Sequence, residues 1–182
     1  MKKRTITKLA ILTLMAMMIS TCRGLHTTAA ETNETWISSD VQLIVEDVSE
    51  MYGVCPELIV AIIEKESSGQ VDAVNGDCKG LMQISERWHE ERMERLGVTD
   101  LFVPYGNILV GVDYIMELAE EYEDLYTVLM IYNGTADAVE RGENRDYTEY
   151  AKSIVERSAE LERLKENQTE NGQAYYCKRV NY

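Results

Sequence analysis

The run PELIVAIIEKE, residues 56–66, constrains this chain more than any other stretch. Leu58, Ile59, Ile62, Ile63 and Glu66 fall at i, i+1, i+4, i+5 and i+8, which is helical and not strand spacing. Pro56 suits the first helical position, and Glu57 lies where the helix dipole favours an anion. Ser67, Ser68 and Gly69 stop the helix just beyond. Glu66 therefore extends the apolar face, whereas Glu64 is expected to point the other way, into solvent. A carboxyl at the rim of an apolar face is desolvated. Its charged form is penalised and its pKa rises, which is what a general acid at neutral pH requires.

The same periodicity recurs along the chain. Val41, Ile44, Val45, Val48 and Met51 predict a helix capped by Ser39 or Asp40 and ending near Gly53. Further helices are expected at about 86–96 after a Ser85 cap, 106–122, 124–132, 135–141 and 146–166. On the last, Tyr147, Tyr150, Ala151, Ile154, Ser158 and Leu161 form the inner face. Residues 72–79 are rich in turn formers around Asn75-Gly76, with acids too irregularly spaced for a calcium loop. The expected fold class is all-α, with room for a short β ribbon near 70–84.

The 182 residues are enough for one domain with a core. Residues 1–30 read as an export signal: a basic start (Lys2, Lys3, Arg4, Lys8), an apolar run over 9–19 too short to span a bilayer comfortably, and small residues at 28–30. A retained anchor and lipidation at Cys22 are the other readings of this segment. Residues 31–40 read as a linker, 41–166 as the folded domain, and 167–182 as a polar spacer and tail. The net charge of -14 would be more negative still without the basic leader, so nucleic acid and anionic lipid are unsuitable partners. Export implies an oxidising compartment. Of the four cysteines, Cys55 and Cys78 bracket the key helix and its loop and are expected to form a disulfide; Cys177 is left over or displaces one of them. With two histidines, His26 and His89, neither a His-based metal site nor a Ser-His-Asp system is expected, and no cofactor is implied.

Four stretches occur together in order: Glu66-Ser67, Gly80-Leu81-Met82-Gln83-Ile84, Asn107-Ile108 with Gly111 and Tyr114, and Tyr132-Asn133-Gly134. This combination resembles the catalytic domain of the soluble lytic transglycosylases, which share a fold with goose-type lysozyme. Tyr150 in YAKSI fits a late tyrosine motif of that family more loosely. The resemblance covers roughly residues 45–160 and implies a lysozyme-like helical domain. It also implies cleavage of the β-1,4 bond between N-acetylmuramic acid and N-acetylglucosamine in peptidoglycan, leaving 1,6-anhydro ends. Glu66 matches the single catalytic acid. Ser67, Gly80, Met82, Gln83, Tyr132, Asn133 and Tyr150 match substrate-site positions. Gly80 would let the backbone approach a sugar, Met82 would supply a polarisable wall, Gln83 would bond sugar polar groups, and Tyr150 would orient Glu66. Asn107, Gly111 and Tyr114 read as structural: a helix start, a close helix contact and a core tyrosine. A monomer acting on glycan strands is expected, with secretion, conjugation or phage entry as its setting.

Two other readings compete. A lysozyme-type hydrolase needs a second carboxylate to activate water, for which Asp72 and Asp77 are the nearest acids in sequence. A non-catalytic wall-binding module would keep the fold without the acid chemistry.

Overall fold

The computed structural model describes residues 35–135 and 147–170, with side chains to 166. The leader, Cys22, Cys177, the tail beyond 170 and the helix expected at about 135–141, from residue 136 on, lie outside the described residues. Among the described residues the order is α1 (Ser39–Tyr52), α2 (Pro56–Ser67), β1 (Val74–Asn75), β2 (Cys78–Lys79), β3 (Ile84–Ser85), α3 (Glu86–Leu96), α4 (Pro104–Glu121), α5 (Leu125–Tyr132) and α6 (Glu149–Glu170). The three short strands form one antiparallel ribbon in the order β1-β2-β3, within the stretch expected to hold one. No helix among the described residues is long and apolar enough to cross a membrane.

α2 is the axis of the domain. Seven consecutive residues, Glu57 to Ile63, are buried, so the helix has no solvent stripe along its first two turns. A helix apolar all round belongs in the middle of a core, and α2 lies between α1 and α6. Each fully buried isoleucine on it contributes about 1.5–3 kcal/mol relative to exposure. Pro56 begins the helix and Ser68, in the left-handed region at φ 53°, ends it.

The boundaries differ from expectation where a partner outside the local window intervenes. The N-cap of α1 is Ser38, whose hydroxyl accepts from the Val41 N–H. The second half of the expected linker is packed: Ile37 is buried and the Trp36 N–H donates to Glu64. Pro104, expected in a connection, is the first residue of α4, and α6 continues to Glu170 instead of ending at 166. Met51 and Tyr147, expected to face inward, are exposed. Tyr147 stacks instead on Tyr126, with ring centroids 4.3 Å apart.

The expected Cys55–Cys78 disulfide does not form. Cys55 caps the start of α2, whereas Cys78 lies beside Glu66 at its other end, close enough to feel that carboxylate. Twelve residues of helix span about 18 Å, and a disulfide tolerates no more than about 7 Å between Cα atoms. Cys55 is engaged elsewhere: its Sγ donates to Glu57 at 3.1 Å and to Glu162 at 3.4 Å.

Candidate active site

Glu66 is the penultimate residue of α2, where the helix emerges from the core. Its carboxyl accepts a hydrogen bond from the Tyr150 hydroxyl on α6. It makes no ion pair among the described residues. Burial raises its pKa, and neither the Tyr150 hydrogen bond nor the Lys65 charge, which pull the other way, cancels that rise. Tyr150 is itself buried beside this carboxylate, so its phenol is held well above the usual range and remains a donor.

Glu64 overturns the expectation that it faces solvent. Its side chain is only 8% exposed and pairs with Arg157 on α6 at 2.7 Å. The two neighbouring acids are thus both shielded, and what separates them is a guanidinium.

The ribbon and the turn after it form the other wall. Tyr132, the last residue of α5, donates its hydroxyl to the Met82 carbonyl at 2.7 Å. Its phenol is raised by burial and then by the Glu66 charge, which places it beside the acid. Behind it, Tyr114 packs at 5.7 Å and His89 stacks edge-on to Tyr114 at 4.6 Å. Burial and the nearby Arg92 lower the His89 pKa to about 4, so this imidazole is neutral at physiological pH.

The Gly80–Gln83 turn is held by Asn107. Its side-chain oxygen accepts from the Met82 N–H at 2.8 Å, and its amide donates to the Lys79 and Leu101 carbonyls, each at 2.8 Å. Asn107 is therefore a clamp on the ribbon and not merely a helix start. The available signal was a lone polar residue inside the apolar run NILVGV, which needs partners once buried. Gly80, at φ 73°, leaves no room for a Cβ, which would lie 2.5 Å from the Leu101 carbonyl oxygen. Its smallness serves this packing against Leu101 and Asn107. A Cβ on Gly111 would lie 2.6 Å from Met82 Sδ, so Gly111 admits a side chain from the ribbon and not a neighbouring helix.

The remaining expected site residues divide. Gln83 adopts φ 50°, unusual for a non-glycine. Its amide bonds the Gly80 carbonyl at 2.9 Å and the Ala73 carbonyl at 3.2 Å. Met82 is fully buried; its backbone carbonyl, not its thioether, meets the site. Ser67 is buried and donates its hydroxyl to the Ile63 carbonyl at 3.1 Å. Asn133 is exposed at the end of α5. The structure thus brings Glu66, Tyr132, Tyr150 and the ribbon together, turns Ser67 back onto its own helix, and leaves Asn133 on the surface. Sequence reasoning missed Cys78 as a neighbour of Glu66 because it was assigned to a disulfide.

The family described as Transglycosylase SLT domain matches residues 44–155. A transglycosylase of Enterobacteria phage PRD1 is 32% identical over 87 residues, covering 47% of this chain and 31% of that protein. Membrane-bound lytic murein transglycosylase C of Serratia proteamaculans (strain 568) is 33% identical over 121 residues, covering 58% of this chain and 34% of its own. The chain thus spans about a third of the length of these curated relatives. Among solved structures, an inactive mutant of lytic transglycosylase Slt from Pseudomonas aeruginosa superposes with a TM-score of 0.56. It is 19% identical, with 73% of this chain and 25% of that chain covered, and the likeness is one of fold.

Proposed function

Because the chain belongs to the Transglycosylase SLT domain family, we propose that it is a peptidoglycan lytic transglycosylase with Glu66 as its single general acid and base. The reaction is cleavage of the β-1,4 bond from N-acetylmuramic acid to N-acetylglucosamine. Protonated Glu66 donates to the leaving glycosidic oxygen. The resulting carboxylate then accepts the C6 hydroxyl proton as that oxygen attacks C1, which closes a 1,6-anhydro ring. One group serving twice needs a pKa close to ambient pH, so that neither protonation state is scarce.

The observation that carries this reading is a half-buried carboxyl with no ion pair among the described residues, bonded to a phenol that stays protonated. Tyr150 fixes the direction of the carboxyl, and Tyr132 pins the Met82 carbonyl that edges the site. Asp72 and Asp77, the acids a hydrolase would enlist, are both exposed on the ribbon loop, which supports the lyase over the water-using reaction. Residues 1–30 carry the features of an export signal, consistent with a substrate outside the cytoplasm.

The test is mass spectrometry of fragments released from purified peptidoglycan. Anhydro-muramic ends are expected. Reducing ends would make the protein a hydrolase, and glycan binding without release would make it a wall-binding module.

A further inference from the structure

α6 runs back along α2. Tyr150 meets Glu66, Arg157 meets Glu64, Glu162 meets Cys55 and Lys165 meets Glu57. The last turns of α6 therefore lie at the Cys55 end of α2, away from the acid. There the half-buried Cys55 donates its thiol to Glu57 at 3.1 Å and to Glu162 at 3.4 Å. Glycan cleavage makes no use of this thiol.

Chain length decides which cysteine reaches it. α2 separates the surroundings of Cys55 from those of Cys78 by about 18 Å. From Glu162 to Glu170, where α6 ends, the helix advances about 12 Å. Seven further residues lead to Cys177, and seven residues span up to about 25 Å when extended. The chain can turn after α6 and return to Cys55 with length to spare. Cys78 is a different case. It lies beside Glu66 and hence near Tyr150, about 30 Å of helix from Glu170. Only a fully taut chain, laid straight back along α6, would approach it. Charge points the same way. In a chain of net charge -14, residues 171–182 hold Lys178 and Arg179 and no acid. Both cations directly follow Cys177, and two carboxylates meet at the Cys55 sulfur, so this end of α2 attracts that segment.

We propose that Cys177 forms a disulfide with Cys55 and staples the segment after α6 to the start of α2. The two thiols give up two protons and two electrons as their S–S bond forms. An external disulfide accepts them, and its own S–S bond breaks into two thiols. The export features of residues 1–30 fit an oxidising compartment where such acceptors persist. The staple closes the end of α2 opposite Glu66 and stands apart from the glycan-cleaving reading.

The test equilibrates the full chain with oxidised and reduced glutathione, blocks the remaining thiols with iodoacetamide and maps the peptides without reduction. One peptide pair joined through Cys55 and Cys177 is expected, with Cys78 alkylated. A link from Cys55 or Cys177 to Cys78 or Cys22 overturns the proposal, as do Cys55 and Cys177 found unlinked to each other. Cys177→Ser should lower the melting temperature of the oxidised chain by roughly 5–10 °C, the scale of one disulfide closing a long loop, and leave that of the reduced chain unchanged. An oxidised Cys177→Ser form that melts with the parent, or an equal loss in the reduced chain, overturns the staple.

Discussion

Glu57 and Glu66 stand at opposite ends of α2, the first buried and the second half-buried. Glu57 is 3% exposed, with Lys165 at 2.8 Å and the Cys55 thiol donating to its other oxygen. Burial alone would raise its pKa, but those partners outweigh burial and hold it below the ordinary carboxylate value. Glu66 is also shielded, yet its hydrogen-bond partner is a neutral phenol, and burial prevails. The difference teaches that desolvation by itself does not make an acid catalyst. The missing countercharge does. Glu64, buried against Arg157 two residues from Glu66, repeats the paired arrangement within a single turn.

The largest effect should come from removing the unpaired member. Glu66→Gln is expected to cut glycan cleavage about a thousandfold, the scale of positioned acid–base catalysis, while oligomer binding persists. A turnover assay on purified peptidoglycan reads this, and cleavage at the parental rate would break the comparison outright.

Lys165→Met should convert Glu57 into a second Glu66. With its cation gone, the buried carboxylate is expected to lose roughly 2 kcal/mol of folding stability at neutral pH. The sign follows from linkage. A group whose folded pKa is lowered stabilises above its unfolded pKa, and in the variant that lowered value becomes a raised one. The deficit should therefore shrink as pH falls through the parent's lowered folded value, below which Glu57 is protonated in both states. Denaturant melts at several pH values check it.

Tyr150→Phe removes the hydrogen bond that pulls the Glu66 pKa down. The alkaline limb of the rate profile should move to higher pH, and the maximum rate should fall about tenfold as the carboxyl loses its direction. An unmoved limb would mean that the phenol only packs.

The smallest effect is on stability. Because the folded pKa of Glu66 is raised, its charge opposes folding once pH exceeds the unfolded value. Glu66→Gln should therefore raise the melting temperature by a few degrees at pH 7 and leave it unchanged at pH 4.

Local pattern carried much of this architecture. Periodicity and caps placed α2 and α3, and Gly97 ends α3 in the left-handed conformation as its position suggested. The Glu66–Tyr150 pairing was legible only through family resemblance, since no local pattern joins residues 84 positions apart. What periodicity could not carry was the identity of distant partners. Glu64 looked solvent-facing because its guanidinium comes 93 residues later. The disulfide failed because bracketing a helix in sequence means lying at its two ends in space. The close neighbours of Gly80, Leu101 and Asn107, arrive from a separate connection and helix, which no local pattern reveals.

The most direct measurement is a carboxyl NMR titration of the intact protein, with Glu57 and Glu66 assigned by their Gln variants. Glu66 should titrate above the ordinary value of 4.5, with Glu57 below it. A Glu66 midpoint at or below that of Glu57 would contradict the account.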